Sequence, residues 1–438
     1  MAVEITFLGG ARQVGRSCVF IKADGRKIML DAGVDVGSTE NAFPLEPPEP
    51  LDLLILTHAH LDHAGYTPYI VAKYHVPLIS TPPTQDLSEI LNIDYLKLRK
   101  EEAPYTFTEI MNVRKHAVDL LYKQPVNLGS GVEATLLRAG HILGSAMIRL
   151  KTEKHIILYT GDICTRNTRT QTMVDLSMCD ADTVIIESTY SSPSDQHPSL
   201  QKTERDFISA VADTLKGGGI VLIPVFAVGR AQEVMLCLEA YIRSGVVPEA
   251  PIFIDGMIRK VNTIYRMYWE HLSDPIKKQI RYTKQNPLES SVFIDVEERK
   301  DLLKMEGPMI IISTSGMLEG GPIIYYLKNF GDDPKNLICL TGYQVPGTRG
   351  RMLYDGVREL DLNGEKVKIE AKVCFFDFSA HADYPGLLRF LSAFKKLKRV
   401  LCVHGEEKKI LSFCERVKSL RDVEAYAPSN GETVILQD

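Results

Sequence analysis

The stretch LTHAHLDHAGY, Leu56–Tyr66, places His58, His60, Asp62 and His63 within six positions of a 438-residue chain that has 11 histidines. The preceding residues, LDLLIL, read as a buried strand. In an extended strand residues i and i+2 share a face, so His58 and His60 project together and can hold one ion. Asp62 and His63 lie past the strand, where Gly65 permits a turn, and can face a second ion. Imidazoles with a carboxylate suit zinc or another first-row divalent metal. The alternative, four unconnected solvated polar residues, is hard to reconcile with so dense a spacing.

Outward from this stretch, four positions repeat one pattern, a polar donor directly after an apolar strand: His141 in AGHILGSAM, Asp162 in ILYTGDI, His381 in FDFSAHAD and His404 in LCVHGE. Taken singly, each reads equally well as a ligand or as a satisfied histidine or turn aspartate. Asp31, in IMLDAG, also ends a strand; it either orients a ligand histidine or is a turn residue before Gly33. His75, His116, His155 and His271 sit in polar settings and read as structural, and His197 in SDQHPS is less clear-cut.

The first half of the chain alternates short β-like runs with turn signals, and residues 85–102 and 108–122 have helical patterning. From about Ser188 the rhythm changes. Near-continuous apolar strands (GGIVLIPV, APIFIDG, GPMIIISTSG, NLICLTGY) each precede a helix, which predicts a parallel sheet with crossovers. After Leu360 the rhythm of the first half returns. The expected organisation is a first domain over residues 1–188, an inserted domain over 189–360, and a return to the first domain over 361–438.

A formal net charge of −5 means that a nucleic acid must be met by a local basic groove, because the whole-protein field does not favour it. The N-terminus, MAVEITFLGG, has no basic-then-apolar leader pattern, and no apolar run approaches the roughly 18 residues needed to span a bilayer. Eight scattered cysteines without a C-x-x-C spacing read as buried thiols of a reducing compartment. A cytoplasmic protein without membrane contact is expected.

Together, HAHLDH, LDAG, GHILGSA and TGD resemble the metallo-β-lactamase superfamily. IIESTY, FSAHAD and VHGE, with PVFAVGRAQE, STSGML and GYQVPGTRGR, narrow the resemblance to the β-CASP nucleases, which include RNase J and the endonuclease subunit of the cleavage and polyadenylation specificity factor. The resemblance covers essentially the whole chain. It implies an α/β fold: a metallo-β-lactamase αββα sandwich with an inserted Rossmann-like β-CASP domain. It also implies two Zn2+ ions, one on His58, His60, His141 and Asp162, the other on Asp62, His63, Asp162 and His404, with Asp31 orienting a ligand histidine. Ser191 stands where the family usually has glycine. The chain opens directly on the first strand, so RNA recognition is expected from the cleft itself, as in the short members of the family.

The chemistry then expected is hydrolysis of single-stranded RNA, endonucleolytic or 5′→3′ exonucleolytic, by two-metal activation of a bridging hydroxide. Asp62, Glu187 and His381 are the candidate catalytic residues, with His381 hydrogen-bonded to Glu187 and serving the departing 3′-oxygen. Strand-to-helix turns seat anions, which nominates Ser313, Thr314, Ser315, Gly347 and Thr348 for phosphate. DNA cleavage is the first alternative; by resemblance, a histidine at position 404 favours RNA. The second, a small ester or thioester hydrolase, would need neither the insertion nor the Glu187–His381 pair. A homodimer and membership of an RNA-processing or decay complex are both compatible with this reading.

Overall fold

Apolar residues at period two drive the first strands. In Val3–Gly9, the side chains of Val3, Ile5 and Phe7 point into one core, while Phe20 and Met29 from the next two strands point into another. A sheet with two apolar faces must be covered on both. The computed structural model describes residues 2–37, 41–305, 307–345, 347–420 and 422–437. It resolves into two units, one comprising the chain up to Asn167, Thr172–Gln196 and Ala380 onward, the other Thr168–Gln171 and His197–Ser379.

The first unit has four layers. Two seven-stranded sheets face each other, in the orders Thr433–Leu436, Val3–Gly9, Cys18–Ala23, Arg26–Leu30, Leu53–Ile55, Leu78–Ser80, Ala117–Asp119, and Glu424–Tyr426, Arg399–Val403, Thr183–Glu187, Ile156–Tyr159, Ala146–Lys151, Val132–Arg138, Pro125–Gly129. Ile5, Ile21 and Ile28 of one sheet meet Leu136, Ile148 and Ile185 of the other in a shared core. Ile70, Val71 and Tyr95 from helices cover one outer face. On the other outer face, Leu387, Phe390, Ile410 and Phe413 from the helices Tyr384–Ser392 and Glu407–Leu420 do the same. This is the αββα sandwich.

The second unit is built on a six-stranded sheet, Phe293–Asp295, Ile252–Asp255, Ile310–Ser313, Val221–Pro224, Leu337–Leu340, Lys372–Phe375, parallel throughout. The expected parallel sheet is present. Its last strand lies past residue 360, because Lys372–Phe375 pairs with Leu337–Leu340; local sequence pattern cannot show which sheet an isolated strand joins. A second difference is that the helical pattern from residue 108 stops at His116, and Ala117–Asp119 instead forms an edge strand beside Leu78–Ser80.

Candidate metal centre

Parallel strands deliver the cluster. Ile156–Tyr159, Thr183–Glu187 and Arg399–Val403 run side by side in one direction, so Asp162, Glu187 and His404 emerge together at their carboxyl ends, where open α/β sheets place ligands. In the facing sheet Arg26–Leu30 and Leu53–Ile55 are parallel and carry Asp31 and the 57–63 segment. The strand ends at Ile55, so His58 and His60 stand on a loop beyond it; Asp62 and His63 occupy a single helical turn, Leu61–Ala64. Gly65 does not supply a left-handed turn (φ −67°). A Cβ there would lie 2.5 Å from the Leu61 carbonyl oxygen, so close packing explains the glycine. Gly33 is needed for the same reason, since its Cβ would meet the Asp62 carbonyl oxygen at 1.8 Å. This contact lets the 32–34 backbone bond the turn through Ala32 N to His63 O (2.8 Å) and Val34 N to Leu61 O (2.8 Å).

Six of the seven candidate ligands fall into two groups that share Asp162, one of His58, His60, His141 and Asp162 and one of His63, Asp162 and His404, while Asp62 groups with His58 and His63. Asp162 Oδ2 lies 3.5 Å from His58 Nε2 and 3.6 Å from His141 Nε2, and His141 Nε2 lies 3.1 Å from His60 Nδ1. Asp162 Oδ1 faces the other group, 3.3 Å from His63 Nε2 and 3.4 Å from His404 Nδ1. His404 Nε2 lies 3.2 Å from Asp62 Oδ2. Ligands about 2.0–2.1 Å from a tetrahedral ion are about 3.3 Å apart, so these separations fit ions between the donors. His58 Nε2 and Asp162 Oδ1 are buried with no hydrogen-bond partner in the protein, which such ions would satisfy.

Proton placement supports the same conclusion. Asp31, buried, accepts from Thr57 N (2.7 Å), Thr57 Oγ1 (2.7 Å), Tyr159 Oη (3.0 Å) and His63 Nδ1 (2.7 Å). In its neutral, ligating form His63 would therefore turn an unprotonated Nε2 toward Asp162. Thr57 Oγ1 donates to Asp31 and so accepts from His58 Nδ1 (3.1 Å); His141 Nδ1 donates to Ala380 O (2.9 Å). Burial lowers the pKa values of His58, His60 and His141, which keeps them neutral as ligation requires. His63 differs: burial opposes protonation, but Asp162 and Asp31 outweigh it and raise its pKa. Burial likewise opposes ionisation of Asp162, and the surrounding histidines, His63 foremost, hold it well below the usual carboxylate range.

Thr57 and Tyr159 carry no signal in the sequence that marks them for this role. Outer partners of this kind are worth about 10- to 100-fold in metal affinity or activity. Asp31→Asn puts an amide against a set of donors and is expected to weaken metal binding by that factor, measured by competition with a chromogenic chelator.

Glu187 and His381 are also brought together. His381 Nδ1 lies 3.1 Å and 3.2 Å from the two Glu187 carboxylate oxygens, and Glu187 Oε1 is fixed by Ile163 N (2.8 Å). Asp162, Glu187 and His381 present donor atoms within 4.8 Å of one another. Burial would lower the His381 pKa, but Glu187 and then Asp162 push it up to about 9. Asp31 and His404 both have left-handed backbone (φ 59° and 51°), a conformation that typically persists only where the surroundings enforce it. Ser191 is buried and lacks positive φ, so replacing the usual glycine imposes no backbone strain.

The candidate phosphate residues all lie in the second unit. The two loops are neighbours, joined by Gly350 N to Met317 O (2.9 Å) and Gln344 Nε2 to Gly316 O (3.2 Å). Their polar groups are largely committed: Ser313 is buried and donates to Thr314 O (3.4 Å). Ser315 bonds Gly320 O through both N and Oγ (3.2 Å each). Thr348 caps the helix Arg349–Tyr354 by accepting from Arg351 N, and Gly347 has φ 89°. Thr314 O accepts from Ile323 N. The helix after this loop begins at Ile323. His197, less clear-cut in the sequence, donates from Nδ1 to Asp377 (2.6 Å).

Residues 11–192 match the metallo-β-lactamase superfamily, 231–353 the Beta-Casp domain, and 366–428 the Zn-dependent metallo-hydrolase RNA specificity domain. Transcription termination factor FttA of Methanocaldococcus jannaschii is 37% identical over 99% of this chain and 71% of its own length; its Methanosarcina mazei counterpart is 36% identical over 99% and 72%. An RNase J-like protein of Methanocaldococcus jannaschii is 37% identical over 98% of this chain and 99% of its own. A solved structure of a protein of unknown function from Enterococcus faecalis V583, 15% identical, covers all of both chains with a TM-score of 0.62 and shares the fold.

Proposed function

Because the chain belongs to the β-CASP family of metallo-β-lactamase-fold, metal-dependent ribonucleases, we propose that it hydrolyses phosphodiester bonds of single-stranded RNA with two Zn2+ ions. The observation that carries this reading is the Glu187–His381 pair set against Asp162: a proton donor beside a group of residues that would hold metal suits a substrate with a poor alkoxide leaving group.

His58, His60, His141 and Asp162 would hold one ion, and Asp62, His63, Asp162 and His404 the other. Bound there, the ions would supply an activated water and polarise the phosphodiester. Asp31 keeps His63 in its ligand tautomer. Asp62, the most exposed of the acidic ligands (28% against 2% for Asp162), accepts a proton from the attacking water. Glu187 orients His381 and favours its imidazolium form, which donates a proton to the departing 3′-oxygen. Products carry a 5′-phosphate and a 3′-hydroxyl. The loops at Ser313–Ser315 and Gly347–Thr348 position RNA phosphates through what donor capacity their internal bonds leave.

The RNA-acting family and six buried free cysteines favour a role in RNA processing or decay in the cytoplasm, as a homodimer or within a larger complex. Among the described residues no helix is long and apolar enough to cross a membrane.

End-labelled single-stranded RNA with a 5′-triphosphate or 5′-monophosphate tests the reading. Internal cuts indifferent to the 5′ end indicate an endonuclease, and mononucleotides from monophosphate ends a 5′→3′ exonuclease. Turnover of a thioester or lactone panel with intact RNA would overturn it.

A further inference from the structure

The chain has 51 Lys and Arg against 56 Asp and Glu, yet between Ile258 and Gln285 it has seven against two. This segment of the second unit contains the helix Asp274–Thr283, which buries Ile276 and exposes Lys278, Arg281 and Tyr282. Their i, i+3, i+4 spacing places them on one helix face. Tyr282 is 86% exposed, so it contributes little to the core. The Arg281 guanidinium lies 5.7 Å from the centroid of the Trp269 ring, within cation–π range, and Lys284 follows at the helix end. Among the described residues no carboxylate pairs with Lys278, Arg281 or Lys284.

An ordinary solvated helix face mixes both signs of charge and omits bare aromatic rings. Cations beside an exposed aromatic ring suit a single strand, since phosphates pair with the cations while a base stacks on the ring; here Tyr282 is that ring, and half-buried Trp269 backs Arg281. Resting on the reading of the chain as an RNA nuclease, we propose that the face formed by Trp269, Lys278, Arg281, Tyr282 and Lys284 binds single-stranded RNA beyond the bond being cut. An acidic protein would use the cations but has no flat bases to stack on Tyr282.

The test uses a Lys278→Gln/Arg281→Gln/Lys284→Gln triple variant and Tyr282→Ala. Binding of a long oligouridylate is measured by anisotropy against salt in an Asp162→Ala background, and hydrolysis of a dinucleotide in the otherwise unaltered protein. The triple variant is expected to lower the slope of log K against log salt by about 2, at about 0.7 per phosphate contact on single strands. Tyr282→Ala is expected to weaken the long strand about tenfold, within the range for loss of one stacked base. Dinucleotide hydrolysis and the unfolding midpoint stay unchanged in both. An unaltered slope and affinity overturn the proposal. So does loss of polyglutamate and RNA binding to the same extent in the triple variant with no effect of Tyr282→Ala, which marks an acidic-protein surface. Failure of the unaltered protein to cut any RNA contradicts the nuclease reading instead.

Discussion

Asp162→Ala is expected to abolish RNA cleavage while RNA binding stays within a few-fold of the unaltered protein. This one carboxylate faces His58 and His141 with Oδ2 and His63 and His404 with Oδ1, so its loss removes an anionic donor from both groups at once. The loss should therefore exceed the about 10- to 100-fold cost of an outer-shell partner such as Asp31. It also leaves several buried imidazoles without the charge that balances two divalent ions. Metal content, measured by atomic absorption, should fall in step with activity. Cleavage persisting in a metal-depleted Asp162→Ala protein rules the arrangement out.

His381→Ala should slow RNA cleavage by about 10²- to 10⁴-fold, the range of a positioned general acid, while metal content is retained. The diagnostic readout is the leaving group: an aryl phosphodiester, whose phenolate departs without protonation, should be nearly unaffected. The sign of the pH dependence follows from the raised pKa. The imidazolium is the donor, so cleavage is sustained below about pH 9 and falls as pH rises through that value. This alkaline limb should be missing from the aryl substrate and from His381→Ala. Equal losses on both substrates would instead point to collapse of the pocket.

Much of the centre is legible in sequence because its donors sit just beyond strands, where side-chain type and turn signals coincide. His58, His60, Asp62, His63, His141, Asp162 and His404 converge in the structure, as do Glu187 and His381. What does not show is anything that depends on pairing across long separations. Tyr159 reaches Asp31 from 128 positions away and reads as an ordinary core tyrosine. The reason for Gly33 is a backbone contact with Asp62, and no local pattern encodes it. The strand Ala117–Asp119 is short and half-exposed, so it has neither the length nor the alternation to stand apart from the helix before it. The polar loops at residues 313–318 and 347–349 read as open anion seats in the sequence; their bonds to one another emerge only when the parallel sheet places their strands on either side of Val221–Pro224.

The most direct test is RNA cleavage by protein stripped of metal with a chelator and then titrated with Zn2+. No cleavage is expected in the stripped protein, with recovery that plateaus at two ions per chain, in keeping with a two-metal site. Full cleavage by the stripped protein would contradict the two-metal mechanism.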